Sequence, residues 1–307
     1  MEGKGPLGKQ FDNVWQDTIN GQKSWEIAEN KMLEEAIKGA IEKAGLTPDQ
    51  IAYLLAGDLL NQIISANFAA RTMGIPFIGL YGACSTMALG MAVGSMLIDG
   101  GFAANVVSGT SSHHDTAERQ YRLPTEQGGQ RNMSAQWTVT GAGSVVLSQT
   151  GLGPRITSVT IGRVVDLGEK DANNMGAAMA PAVADTILNH FHDLQRGPQD
   201  YDLIVSGNLG WVGVELVKEL LKRSNIELGE MFIDCGCLVY YPEQDVHAGA
   251  SGCGCSAVVM ASDIIPKINQ GIFNRVLFIG SGALHSTTST QQGESIPSIG
   301  HAVVIET

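Results

Sequence analysis

The chain has 307 residues, 44% of them hydrophobic, with 38 glycines and a net charge of −12, which suits one large globular domain or two of about 150 residues. The acidic balance argues against nucleic acid, although Arg119, Arg122 and Arg131 are local basic spots. No uncharged apolar run is long enough to span a bilayer, Met1-Glu-Gly-Lys-Gly-Pro6 is no signal peptide, and five cysteines without a secretory signal point to reduced thiols, so a soluble, cytoplasmic protein with no direct membrane insertion is expected.

Residues 1–23 are polar and glycine-rich and read as an extended arm or loop. Ile27, Leu33, Ile37 and Ile41 recur near helical spacing with Glu and Lys between them, which predicts a helix over 25–43 that Gly45 stops. Thr47-Pro48-Asp49 opens a short turn, followed by a strand over 51–56 and a helix over 61–73. The apolar run after Pro76 reads as a short buried strand. Gly82 and Ala83 then turn the chain, and Ser85 or Thr86 is placed to cap a helix over 86–98 that ends at Gly100-Gly101. Cys84 thus lies near a helix N-terminus, where the dipole and open N–H groups lower a thiol pKa or form the floor of an anion site. The next strand, over 104–108, carries Ser111, Ser112, His113 and His114 at its tip. A Gly/Pro/Gln-rich loop over 124–132 is expected to be exposed, and strands follow over 143–147 and 156–165.

The second half repeats the first. Asp202-Leu-Ile-Val-Ser-Gly207 echoes Ala52-Tyr-Leu-Leu-Ala-Gly57, and Gly300-His-Ala-Val-Val304 echoes Gly143-Ser-Val-Val-Leu147. Cys84 matches Cys255, Gly109 matches Gly280 and His114 matches His285, each pair 171 residues apart. Two βα-rich halves, 1–153 and 154–307, are expected to pack about a pseudo-twofold axis as a five-layered αβαβα body with mixed, mostly parallel sheets.

Gly82-Ala-Cys-Ser-Thr86, the duplicated halves and Gly249-Ala-Ser-Gly-Cys253 resemble the thiolase and ketoacyl-synthase superfamily. Within it, Ala56-Gly-Asp-Leu-Leu-Asn-Gln62, Thr110-Ser-Ser-His113, Thr116-Ala-Glu-Arg-Gln120, Pro124-Thr-Glu126, Met179-Ala-Pro-Ala182 and Ala248-Gly-Ala-Ser-Gly-Cys253 are similar to the stage V sporulation protein AD family, over nearly the whole chain. The resemblance implies a thiolase-like fold and a homodimer formed through an edge of the first-half sheet. It further implies a soluble component of the membrane apparatus that loads dipicolinic acid into the developing spore. Such a component binds that ligand rather than transferring acyl groups, and reaches the spore inner membrane through other proteins of the apparatus. No cofactor is expected, and whether calcium accompanies dipicolinic acid is left open. Family members carry a further strand-bearing segment ahead of Gly5-Pro-Leu-Gly8, so one sheet is expected to be a strand short; a His at position 247 lies outside the family pattern.

Dipicolinate is a planar pyridine ring with two carboxylates, so its site needs donors at each carboxylate and apolar or aromatic surface on the ring faces. The helix start Cys84-Ser85-Thr86 supplies backbone donors, and Arg119 or Arg122 can grip a carboxylate bidentately. A structural Glu118–Arg119 ion pair is the competing reading for Arg119. Ser112, His113 and His114 are placed at the site mouth, but two consecutive side chains diverge, so one imidazole at most is expected to act. Asp115 either fixes a His tautomer or caps the next turn. Cys84 itself lines the ligand site, packs inertly, or is a nucleophile; the last needs a base, which His114, His247 or His285 would have to supply through folding.

Cys235-Gly-Cys237 and Cys253-Gly-Cys255 have tighter spacing than most structural zinc knuckles and read as packing residues, with no metal expected. His247-Ala-Gly-Ala-Ser-Gly252 partly resembles a thiolase motif but lacks its proline, and no thiol follows Cys255. The catalytic set is incomplete, which favours a binding protein on an enzyme fold. The alternative is a Cys-dependent acyl-transfer or condensing enzyme using Cys84 with His247 or His285.

Overall fold

A computed structural model of the chain describes residues 1–121 and 131–307. In the first half α1 (Trp25–Lys43) buries Leu33, Ile37 and Ile41, one every four residues, and its N-cap Ser24 accepts from the Ile27 N–H. It is followed by β1 (Tyr53–Gly57), α2 (Ile64–Met73), β2 (Phe77–Gly79), α3 (Thr86–Asp99) and β3 (Asn105–Ser112). Then come α4 (His114–Tyr121), β4 (Trp137–Thr138) and β5 (Gly141–Ser148). The sheet order is β2-β1-β3-β5, parallel except for β5.

The second half holds β6 (Arg155–Ile161), α5 (Met175–Leu194), β7 (Leu203–Gly207), α6 (Gly210–Lys222), β8 (Phe232–Asp234) and β9 (Ala250–Ser251). There follow α7 (Cys253–Val259), a π turn over Met260–Ile264, α8 (Ile265–Asn269), β10 (Arg275–Ala283), α9 (Thr287–Gln291) and β11 (Ser298–Glu306). Its five strands run β6-β11-β10-β7-β8, with β11 antiparallel to both neighbours. β4 and β9 pair across the halves.

Buried parallel strands need cover on both faces, and the helices supply it in layers. α1 and α2 lie outside the first sheet, α5 and α6 outside the second, and α3 and α7 are shared between them. The layers are therefore αβαβα. The main core fills the middle, where Met87 and Met91 of α3 and Val259 of α7 meet Val205, Phe278 and Val303 of the second sheet.

Two expectations are corrected here. Of the two readings of residues 1–23 the loop holds and the extended arm does not, because the segment is docked: Leu7 is in the main core, and the Glu2 carboxylate accepts from the Tyr240 hydroxyl and the Thr140 N–H. The halves also match at 170 residues rather than 171. The left-handed Gly101 and Gly271, the turns Gly82–Ser85 and Gly252–Cys255, and the ladder acceptors Asn105 and Arg275 all show this spacing. Ser85 is thus the counterpart of Cys255, and Gly254 stands where Cys84 does. A one-residue slip matters because it exchanges the two faces of every strand.

Candidate functional site

After β2 the chain turns through Gly82 and Ala83, and Ala83 takes a left-handed φ of 48° before Cys84 enters the start of α3. The second half grips this turn. The Asn208 side-chain amide donates to the Cys84 carbonyl at 3.1 Å, and the Cys253 thiol donates to the Ala83 carbonyl at 2.9 Å. β10 passes so close that a Cβ on Gly282 would stand 2.3 Å from the Gly82 carbonyl oxygen. Cys84 therefore lies at the junction of the halves.

It opens into a cavity of about 360 Å³. Leu60, Ile63, Met175, Met179 and Leu284 give the walls their apolar character, while Asp58, Gln62, Tyr121, Thr138 and His285 bring polar atoms. Met175 is the first residue of α5, so the N-termini of α3 and α5 both border the space. The Tyr121 and His285 rings are tilted at 57° with centroids 5.4 Å apart, and the Tyr121 hydroxyl donates to the Leu59 carbonyl. Burial pushes the Tyr121 phenol up.

Asp58 is buried and its carboxylate accepts from the Leu60 and Ala66 N–H groups, each at 2.8 Å. Burial outweighs those bonds and pushes its pKa up to about 6. Glu29 is also buried, accepting from Ser111 at 3.2 Å and Thr116 at 2.9 Å. Burial first, and the nearby Asp58 charge second, hold its carboxyl well above the usual range.

Of the described ligand-site candidates, Cys84 alone lines this cavity. Ser85 and Thr86 turn their hydroxyls back to the Gly82 and Ala83 carbonyls, both at 2.6 Å, so neither acts as a side-chain cap for α3. Strand β3 runs four residues beyond its predicted end, which carries Ser111 and Ser112 into the sheet. Ser112 donates to Val139 at 2.7 Å and accepts from the Gly254 N–H at 3.0 Å. His113 is fully buried rather than at a mouth: Nε2 bonds the Thr18 carbonyl at 2.8 Å, Nδ1 accepts from the Asp115 N–H, and burial lowers its pKa.

His114 stacks on Trp137 with centroids 3.9 Å apart and pairs with Asp115 at 3.3 Å, and that bond holds the Asp115 carboxyl below its usual range. Arg119 pairs with Glu26 and lies over the Trp25 ring at 5.4 Å; its ion-pair partner is Glu26 rather than the expected Glu118. Arg122 and the loop over 124–130 lie outside the described residues. His247 bonds the Asn132 carbonyl at 2.8 Å and does not line the cavity, whereas His285 does.

Asp58, Gln62 and Tyr121 were not singled out from sequence. A signal existed for the first two, because both belong to the motif Ala56-Gly-Asp-Leu-Leu-Asn-Gln62. Cys235, Cys253 and Cys255 are buried, and burial raises their thiol pKa values, as packing residues require. Among the described residues no three His, Cys, Asp or Glu side chains converge as a metal site. No helix among them is long and apolar enough to cross a membrane.

Comparison with known proteins adds three findings. The family model described as stage V sporulation protein AD matches residues 1–306. Stage V sporulation protein AD of Bacillus subtilis (strain 168) is 52% identical over 305 residues, which cover 99% of this chain and 90% of that protein. Among solved structures, 3-oxoacyl-[acyl-carrier-protein] synthase III from Aquifex aeolicus VF5 has a TM-score of 0.59 at 14% identity, covering 96% of this chain and 86% of its own. OleA of Xanthomonas campestris has a TM-score of 0.64 at 12% identity, with 91% and 82% covered. At those identities the two structures establish the shared thiolase-like fold and nothing about chemistry.

Proposed function

The chain belongs to the stage V sporulation protein AD family and so has a role in sporulation, and from that premise we propose that it binds dipicolinic acid in the cavity beside Cys84. It does so without catalysis, as the component of a spore membrane transport apparatus that holds the ligand. The observation that carries this reading is the pair of helix N-termini, those of α3 and α5, bordering one small and largely apolar cavity together with His285. A planar dianion fits such a space: each carboxylate meets a positive helix end or the imidazole, and the ring packs against Ile63, Met179 and Leu284. The chain acts as a homodimer through the β2 edge of the first sheet, and it meets the membrane through other proteins of the apparatus.

Calorimetric titration with dipicolinic acid tests the reading, run on the wild type, His285→Ala and Ala283→Phe. One ligand per chain is expected, with affinity falling by about tenfold or more in His285→Ala and vanishing in Ala283→Phe, where the added ring fills the cavity. A folded wild type that takes up no dipicolinic acid overturns the proposal.

The second reading, acyl transfer through Cys84, is favoured by the position of that thiol at a helix start in a fold shared with an oxoacyl synthase. Its mark is an acyl adduct on Cys84 after incubation with acyl-coenzyme A, read by mass spectrometry and absent from Cys84→Ala.

A further inference from the structure

The duplicated turns Gly82–Ser85 and Gly252–Cys255 meet at the junction of the halves, because the second turn opens α7 and α7 packs on the first. The first turn carries Cys84; the second carries Cys253 and Cys255, and Cys255 belongs to the main core together with Cys235. Cys84 and Cys253 differ in access. Cys84 is half-buried and lines the cavity of about 360 Å³, whereas Cys253 is fully buried behind the cavity wall.

The two side chains are close. The Cys253 thiol donates to the Ala83 carbonyl at 2.9 Å. Across a trans peptide that oxygen is about 2.8 Å from the Cα of the next residue. The next residue is Cys84, so the Cys253 sulfur stands within about 6 Å of the Cys84 Cα. That separation is of the order a disulfide spans, whose Cα atoms lie about 4.4–6.8 Å apart. Burial first, and the neighbouring Cys84 second, push the Cys253 thiol up, so Cys253 stays protonated and does not react with an oxidant by itself.

We infer that Cys84 and Cys253 are a redox pair, in which a hydroperoxide entering the cavity oxidises Cys84 and Cys253 then closes a disulfide with it. In the first step the Cys84 sulfur attacks one peroxide oxygen and the O–O bond breaks. The thiol proton leaves with the other oxygen as water or an alcohol, and the sulfur, two electrons poorer, becomes a sulfenic acid. In the second step the Cys253 sulfur attacks the Cys84 sulfur and the S–O bond breaks. The Cys253 proton leaves with the hydroxyl as water. Holding the two sulfurs in one fold makes up for the poor ionisation of the attacking thiol. The disulfide stops Cys84 short of sulfinic acid, which a dithiol does not reverse, and it ties the start of α3 to that of α7. No ligand in the cavity takes part in either step.

Hydrogen peroxide is the probe, applied to the whole protein, with unreduced digests read by mass spectrometry. A linked peptide pair joining Cys84 to Cys253 is expected, which a dithiol separates, in a chain lighter by two hydrogens. In Cys253→Ser the same treatment is expected to leave Cys84 as a sulfenic acid that dimedone traps. Without dimedone that variant is expected to carry Cys84 sulfinic acid at about tenfold or more the wild-type amount. In Cys84→Ser, Cys253 is expected to stay reduced, because the oxidant reaches it only through Cys84. The wild-type link is decisive without either variant. A wild type that accumulates Cys84 sulfinic acid beside reduced Cys253, that links Cys84 to another cysteine, or whose Cys84 peroxide leaves untouched overturns the proposal.

Discussion

Asp58 faces the cavity with a carboxyl that ionises near pH 6, and the direction of that shift has consequences. Its folded-state pKa lies above the ordinary carboxylate value, so the folded protein takes up the proton more readily than the unfolded chain. The contribution to stability is therefore present at low pH and lost as pH rises through about 6. An ionised Asp58 also repels a dianionic ligand. Dipicolinic acid is thus expected to bind more tightly as pH falls from a unit above to a unit below that value, measured by titration calorimetry at constant ionic strength, and Asp58→Asn is expected to flatten the slope. Binding that weakens on acidification would remove Asp58 from the ligand's surroundings. His113 shows the opposite case: a histidine that looks functional by its neighbours in sequence is a fully buried structural residue bonded to Thr18.

At the scale of elements, the turn from β2 into α3 sets the position of Cys84. Ala83 holds a left-handed backbone that only glycine adopts without penalty, and the Asn208 and Cys253 contacts from the second half keep it there. A β-branched residue tolerates this conformation worst. Ala83→Val is expected to cost about 2 kcal/mol or more in denaturant unfolding, while Ala83→Gly folds normally. Equal stability of the two variants would show that the turn relaxes to another geometry. The helices themselves were legible from sequence, because α1 repeats its buried residues at helical spacing and α3 runs unbroken between a turn and Gly100. Strand ends were less so: β3 and its extension to Ser112 have no local stop signal, and pairing with β5 alone carries the strand that far.

For the whole molecule, the first sheet has two unlike edges. β5 lies in a groove between helices, whereas β2 stands at the other end of the sheet beside the exposed Tyr81. Strand edges invite pairing, and the accessible one is where the proposed dimer contact lies. Sedimentation is expected to give a dimer that Phe77→Glu with Tyr81→Glu converts to a folded monomer; a wild-type monomer would refute the β2 interface. Tyr81 also lines the Cys84 cavity, so dimerisation and ligand affinity are expected to change together in that variant.

The sequence by itself determined the duplicated α/β architecture, the helix periodicities, the turn before Cys84 and the family, because each is written in local pattern or in short motifs. It placed the duplication one residue out, since a match of Cys-Ser to Cys-Ser reads identity while strand register is fixed by ladder bonds to distant partners. Only the tertiary structure decided which residues share the cavity. Asp58, Cys84, Tyr121, Met175 and His285 come from five separate elements and loops, and they meet because β10 packs against the start of α3. That closure is a long-range contact, made possible by glycines at 280 and 282 whose absent side chains leave no periodic trace in the chain.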